Sequence, residues 1–301
     1  MVQTAKLMSA LISLILFVAS QNAKAGEAPL PPVTVTLASA KWPTTQGYHV
    51  IKATARVGDK TVPFACGLFL PPAYFKTKER MPMVMTLHTR GASGSDGGGG
   101  LVGEGLGLLV STGGPDPRGT GEKPKNAIKL PGGAEFIGLV PQCPAGYGWE
   151  SPVVARIVAE FITQVAKAGR GDEDRVYLTG FSYGGTSTWM MAMQVPERFA
   201  AIVPMDGRAT PDPKNDLKKL QHIAIYLSVG ADDSDFIPES QRMRDALIAI
   251  KHPKFVYHLV PGGNHWCYGS VYTDPEFWTW LFSQRRNARL ARAGPTTQQM
   301  K

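Results

Sequence analysis

The stretch Arg175–Gln194, RVYLTGFSYGGTSTWMMAMQ, decides the fold. Its first five residues are typical of a buried strand, and residues 183–194 have helical character. Between them, positions 180–184 read Gly-Phe-Ser-Tyr-Gly. Glycines at these positions let a strand and a helix approach closely around a sharp turn, which presents the serine hydroxyl at the carboxyl edge of a sheet. The stretch therefore predicts a strand, a turn and a helix, with Ser182 as a nucleophile.

Short apolar runs alternate with helical segments on both sides of this stretch. Apolar strands without polar alternation favour a doubly wound, mainly parallel α/β sheet, here preceded by N-terminal antiparallel strands. No internal repeat is present, so one domain is expected. The predicted strands are 33–37, 48–57, 61–70, 83–87, 135–140, 175–179, 200–204, 223–229 and 255–260, and the predicted helices are 153–168, 183–194, 238–250 and 276–286.

Composition and charge exclude several classes of protein. Of 301 residues, 43% are apolar and 19% are charged, which excludes wholesale disorder, and three cysteines are too few for a disulfide-stapled mini-fold. The net charge of +8 lies mostly at the two ends, and residues 26–284 carry only +1. A nucleic-acid surface needs clustered Lys and Arg on one face. No nucleic-acid partner is therefore expected.

The N-terminus is typical of a secretory signal peptide. Lys6 precedes the apolar run 7–19, and an Ala-x-Ala cleavage site ends at Ala25. The run is shorter than the ~20 residues of a spanning helix, so we expect a secreted or periplasmic protein without a stable membrane anchor. The expected organisation is a signal peptide at 1–25, a catalytic domain at 26–284 and a basic tail at 285–301. In an oxidising compartment, two of the cysteines could pair, in a combination that the sequence leaves open: Cys66, Cys143 and Cys267.

Residues 91–133 interrupt the alternation of strands and helices. They hold 15 of the 33 glycines, and only 101–112 could form a short helix. A loop of this length inside a compact domain is either functional or mobile. It lacks the Gly-Lys-Ser/Thr ending of a phosphate-binding loop, so a flexible loop beside the site is the better interpretation.

The partners of Ser182 are expected at the ends of later strands, because ligands bind at the carboxyl edge of such sheets. His265 follows the last strand in the sequence PGGNHW and is the candidate base; the other five histidines are weaker candidates. The acid comes from the sequence ADDSD, which offers Asp232, Asp233 and Asp235. The order Ser, Asp, His along the chain matches an acyl-transfer triad in which the acid orients the imidazole.

Other motifs resemble secreted α/β-hydrolase esterases, a group related to phospholipase/carboxylesterases, polyhydroxybutyrate-depolymerase-like enzymes and feruloyl esterases. These motifs are PQCP at 141–144 with Trp149, and PERFAA at 196–201. The resemblance implies an α/β-hydrolase fold and ester hydrolysis through an acyl-enzyme without metal or cofactor. It ranks Asp233 first, then Asp235 and Asp232. It also implies an oxyanion hole made of backbone N–H groups, one from Tyr183 and the other from Thr89 or Arg90. The second donor has two candidates because the family usually has His-Gly where this chain has His88-Thr89.

Only 18 residues separate the strands ending at Pro204 and beginning at Ile223, too few for a large cap domain. An open site suits a small-molecule or polymer-linked ester substrate, with Trp149 and Trp266 as apolar walls. Two alternatives stay open: a prolyl-oligopeptidase-like serine peptidase and a non-catalytic binding module. The sequence leaves the oligomeric state open.

Overall fold

The computed structural model describes residues 30–38, 42–89, 91–98, 101, 105–111, 130–131, 134–212 and 216–286. The predicted signal peptide, most of the basic tail, Arg90 and most of the glycine-rich segment lie outside these ranges. Within the described ranges, none of the helices combines the length and the apolar character needed to cross a membrane.

The described residues form one mixed sheet of nine strands in the order β1-β2-β3-β5-β4-β6-β7-β8-β9. The first three strands pair antiparallel, β3 also pairs antiparallel with β5, and the remaining neighbours pair parallel. The strands are β1 (Val33–Leu37), β2 (Gly47–Val57), β3 (Lys60–Leu70), β4 (Met81–Leu87), β5 (Ile137–Pro141), β6 (Gly171–Phe181), β7 (Ala201–Met205), β8 (Ala224–Gly230) and β9 (Phe255–Val260).

Helices cover both faces of this sheet. They are α1 (Gly105–Ser111), α2 (Pro152–Gly169), α3 (Tyr183–Gln194), α4 (Ile237–Ala249), α5 (Tyr268–Thr273) and α6 (Pro275–Ser283). Residues from α2, α3 and α4 belong to one buried apolar cluster, and residues from α1, α5 and α6 belong to a second cluster. The predicted doubly wound sheet with antiparallel N-terminal strands is therefore confirmed.

Side-chain alternation along the central strands divides the core between the two faces. All seven residues of β4 are buried. Met83 and Met85 pack in the cluster with α2, whereas Val84 packs in the cluster with α1 and α6. Because both faces are covered, this strand reads as an unbroken apolar run in the sequence. Its carboxyl end lies next to β6, where Leu87 pairs with Gly180.

The C-terminal prediction was wrong in part. The expected helix 276–286 begins at Pro275 but ends at Ser283, and α5 was missed. Asp274 caps α6, because its carboxylate accepts a hydrogen bond from the Glu276 N–H. The three cysteines that the sequence left open to pairing are all buried and free: Cys66, Cys143 and Cys267.

Candidate active site

Ser182 occupies the turn between β6 and α3 in a strained backbone conformation. Its φ of 58° and ψ of −120° are rarely adopted by residues other than glycine. The surrounding glycines permit the close approach that the turn requires. A Cβ atom on Gly180 would collide with the backbone of Gly184, and one on Gly184 would collide with the Leu87 carbonyl at the end of β4. The sequence therefore folds into a tight elbow that presents the serine at the carboxyl edge.

The structure brings together the three residues that were ranked first for the triad. The Nε2 atom of His265 lies 2.9 Å from Ser182 Oγ, and its Nδ1 atom lies 2.8 Å from Asp233 Oδ2. The Asp233 side chain is buried, with 5% of its surface exposed, whereas that of His265 is 31% exposed. The His265 ring can therefore accept a proton from the serine on one edge while the aspartate holds the other edge.

Asp233 is separated from its two alternatives by burial. Asp232 and Asp235 are both exposed, and the contact to His265 is made by Asp233. Aromatic rings fix the plane of the imidazole: Phe236 stacks on His265 at 4.8 Å between centroids, and Phe181 lies at 4.9 Å on a tilt. The imidazole thus has few orientations besides the one that faces the serine.

The expected oxyanion residues lie on the other side of the serine. Tyr183 is the first residue of α3, and it lines one cavity together with Thr89, which follows β4. Arg90 lies outside the described residues. The helix N-terminus favours negative charge beside Ser182. Two of the three expected residues, Tyr183 and Thr89, therefore line one cavity next to the serine.

His88 supports this side through the backbone. Its Nδ1–H donates to the Thr89 carbonyl at 2.7 Å, and its Nε2 accepts from the Cys143 N–H at 3.0 Å. The two bonds define the neutral tautomer, and burial lowers the pKa of His88 below its usual value. The ring also lies 5.0 Å from that of Trp149. The neutral His88 side chain thus links the end of β4 to the segment after β5 through hydrogen bonds.

The PQCP stretch holds the start of the glycine-rich segment. Gln142 accepts from the Gly97 N–H at 2.9 Å and donates to Asp96 at 2.9 Å. The Cys143 carbonyl accepts from the Gly94 N–H at 2.8 Å. These contacts explain why Gln142 is buried in a largely apolar strand end. The motif therefore holds residues 94–97 of the glycine-rich segment.

A cavity of about 370 Å³ opens beside the elbow. Its lining is mixed, and Glu150 contributes a carboxylate that accepts from the Tyr183 hydroxyl at 3.1 Å. Trp149 borders the cavity but is only 1% exposed, so most of its ring packs in the core. Trp266, in contrast, is 59% exposed, and its ring lies 5.2 Å from Phe181 and 6.1 Å from His265. The two tryptophans thus occupy very different surroundings.

Sequence reasoning missed Asp206, which follows β7. It is fully buried and has a positive φ of 42°. Its sequence context, Met-Asp-Gly, carried no signal beyond its position at the carboxyl end of a strand. Metal ligation does not explain it: within the described ranges no group of three or more His, Cys, Asp or Glu side chains is arranged to hold a metal ion.

Part of the chain resembles a known family and one curated protein. Residues 146–266, which include Ser182, Asp233 and His265, match the dienelactone hydrolase family. A protein of Arthroderma benhamiae, described as an uncharacterized secreted protein, is 26% identical over 140 residues, which are 37% of this chain and 15% of that protein. This chain thus spans a small part of the relative's length.

Two solved structures are similar over most of the chain. One is a thermostable esterase, with a TM-score of 0.57 and 23% identity over 79% of this chain and 63% of that one. The other is the feruloyl esterase module from Clostridium thermocellum, an S954A mutant complexed with sinapinate, with a TM-score of 0.54 and 14% identity over 86% and 96%. At these identities the likeness concerns the fold. The predicted α/β-hydrolase fold is confirmed.

Proposed function

We propose that this chain is a serine hydrolase that cleaves carboxylic esters through an acyl-enzyme intermediate. The observation that carries the proposal is the pair of hydrogen-bond distances at His265, 2.9 Å to Ser182 and 2.8 Å to Asp233. Ser182 also has a strained backbone with a positive φ. A base within hydrogen-bond reach of the nucleophile, itself oriented by a carboxylate, is the arrangement that activates serine. The match to the dienelactone hydrolase family supports the same chemistry.

The reaction follows from the positions of the atoms. Ser182 Oγ forms a bond to the ester carbonyl carbon while His265 Nε2 takes the hydroxyl proton. The tetrahedral oxyanion is held at the N-terminus of α3 and by the loop after β4. The carbon–oxygen bond to the alcohol then breaks, and the alcohol leaves with the proton from His265. Water repeats the sequence on the acyl-enzyme and releases the acid, restoring Ser182.

We propose polymer-attached acyl groups as the substrate class. The connection between β7 and β8 is short, so the site is open to solvent, and an exposed Trp266 beside His265 offers a flat apolar contact. Likeness to a structure described as a feruloyl esterase module agrees with this choice. We also propose export from the cytoplasm, on the basis of the apolar run at 7–19 and the Ala-x-Ala site.

The proposal is tested by Ser182→Ala with p-nitrophenyl acetate as substrate. We expect kcat to fall by about 10⁴-fold or more and the melting temperature to change little, because the side chain is small. Ser270→Ala changes an exposed serine and is the matched control, with kcat within twofold of the wild type. Retained turnover in Ser182→Ala would contradict the assignment.

Two further measurements separate the alternatives. A fluorophosphonate probe labels an activated Ser182, so absence of labelling in the wild type would favour a binding module. An aminoacyl ester compared with the matching anilide separates an esterase from a peptidase. A panel from short acyl esters to feruloyl, acetyl-xylan and polyester substrates then tests the substrate class; preference for short soluble esters alone would overturn the polymer proposal.

A further inference from the structure

A second buried carboxyl group lies behind the triad. Asp206 follows β7 directly, and none of its surface is exposed. The catalytic steps described above do not use it. Burying a carboxylate is costly unless hydrogen bonds compensate, so its contacts should explain why it is there.

The Asp206 side chain links the two loops that carry the acid and the base. Its Oδ1 atom accepts from the Gly230 N–H at 2.9 Å, and Gly230 ends β8 three residues before Asp233. Its Oδ2 atom accepts from the Cys267 S–H at 2.7 Å, and Cys267 lies two residues after His265. One carboxylate therefore spans the distance over which Asp233 and His265 must meet.

The backbone on either side of Asp206 contacts the nucleophile elbow. The Met205 carbonyl accepts from the Ser182 N–H at 3.0 Å. Gly207 packs so closely on the elbow that a Cβ atom there would collide with the backbone of Thr186. Asp206 itself has a φ of 42°, a conformation uncommon outside glycine and found more often for aspartate than for most residues. The residue is thus fixed against Ser182 while its side chain reaches the other two loops.

From these contacts we infer that Asp206 is a positioning residue of the active site, which sets the relative placement of Ser182, Asp233 and His265. The inference rests on the proposed function, since it assigns a role in that reaction. It also gives Cys267 a function as a hydrogen-bond donor. Burial raises the pKa of this thiol, so it stays protonated and keeps its hydrogen for Asp206.

The charge of Asp206 gives the role a signature. Burial raises its pKa to about 6, against the hydrogen bonds from Cys267 and Gly230, so the group is ionised at pH 8. The titratable groups that act on it are Cys267, Asp233 and His265. The guanidinium of the exposed Arg208 lies over the ring of Phe236, at 5.9 Å from its centroid. An ionised Asp206 stabilises an imidazolium at His265, so removing the charge moves the acid limb of kcat/KM to lower pH.

The test is Asp206→Asn, assayed with p-nitrophenyl acetate between pH 5 and 9. The amide keeps the shape but can accept from only one of the two donors. We expect kcat to fall about 10- to 100-fold with KM within twofold, the acid limb to move to lower pH, and the melting temperature at pH 8 to change by only a few degrees. A variant with kcat within twofold of the wild type, or with an unmoved acid limb, would overturn the role.

Position 267 offers a matched pair that does not alter the carboxylate. Cys267→Ser keeps an O–H donor to Asp206, whereas Cys267→Ala removes the donor. We expect the serine variant to retain most of the wild-type kcat. The kcat of the alanine variant should be several-fold lower than that of the serine variant. Equal kcat values for the pair would contradict the inference. If the wild type itself fails to hydrolyse the ester, the proposed function fails; if the wild type is active and the variants match it, only the positioning role fails.

Discussion

The two sides of Ser182 are built by different means. On the acid–base side, side chains contact one another: His265 lies within hydrogen-bond distance of both Ser182 and Asp233. On the other side, where we propose that the oxyanion is held, the candidate groups are backbone N–H groups, and the side chain of His88 bonds to the Thr89 carbonyl and the Cys143 N–H. Side-chain chemistry leaves a trace in the sequence, whereas backbone chemistry leaves very little.

The difference also concerns how each side is supported. The acid–base loops are joined to each other by a direct backbone hydrogen bond, in which the Asp232 N–H donates to the Gly263 carbonyl at 2.7 Å. The loop after β4 and the residues that follow it are instead joined to the segment after β5 through the side chains of His88 and Gln142. Substituting one residue on each side should therefore lower kcat by different factors.

The largest loss in this comparison is expected for Asp233→Asn. The asparagine amide carries no negative charge to attract the Nδ1–H of His265, so the imidazole loses its productive tautomer. We therefore expect kcat to fall about 10³- to 10⁴-fold. The exposed neighbours supply controls: Asp232→Asn and Asp235→Asn should stay within a few-fold of the wild type in the same assay. Equal impairment of Asp235→Asn would show that the acid was assigned wrongly.

A smaller loss is expected on the oxyanion side, for His88. His88→Phe keeps a ring against Trp149 but removes both hydrogen bonds, and we expect kcat to fall about 10- to 100-fold because the Thr89 backbone is no longer held. His88→Asn places an amide N–H near the position of Nδ1 and should recover part of the loss. If both variants are equally active, the bond to Thr89 is irrelevant to catalysis.

The same residue predicts a pH dependence of stability. Burial lowers the pKa of His88 in the folded protein, so below about pH 6.5 the unfolded chain binds a proton that the folded chain does not. The contribution of His88 to the free energy of unfolding should therefore fall as the pH decreases from 7 to 5. His252 and His258 contribute with the same sign as His88, because burial lowers the pKa of each. Asp206 contributes with the opposite sign, because burial raises its pKa to about 6. Urea unfolding at several pH values should give a flatter profile for His88→Phe; an unchanged slope would contradict this.

Particular residues show how much the sequence could predict. Ser182 and the helix after it were predictable because a strand, a glycine turn and a helix are all local patterns, and α3 has the predicted bounds. His265 was predictable from its place at a strand end. Asp233 was ranked first from a family resemblance, and burial distinguishes it from its exposed neighbours.

The remaining features depend on contacts distant in sequence. The bond between Cys143 and His88 joins residues 55 positions apart, and that between Cys267 and Asp206 joins residues 61 positions apart. No spacing rule relates such pairs. The helix α5 was missed because its sequence, YGSVYT, contains glycine and β-branched residues of low helix propensity, and packing of three buried residues overrides that preference.

The smallest kinetic effect is expected for substitution of Trp266. This substitution tests whether substrate contacts lie on the acid–base side. Its ring is 59% exposed, so Trp266→Ala should hardly change the melting temperature. If the ring contacts a bulky acyl group, KM for a feruloyl ester should rise several-fold while kinetics with p-nitrophenyl acetate stay within twofold, because the acetyl group is too small to reach it. Trp149 provides the contrast: it is buried against His88, so Trp149→Ala should lower the melting temperature and affect both substrates. Equal effects of Trp266→Ala on the two esters would place the acyl contact elsewhere, with the cavity lined by Thr89 and Tyr183 as the next site to test.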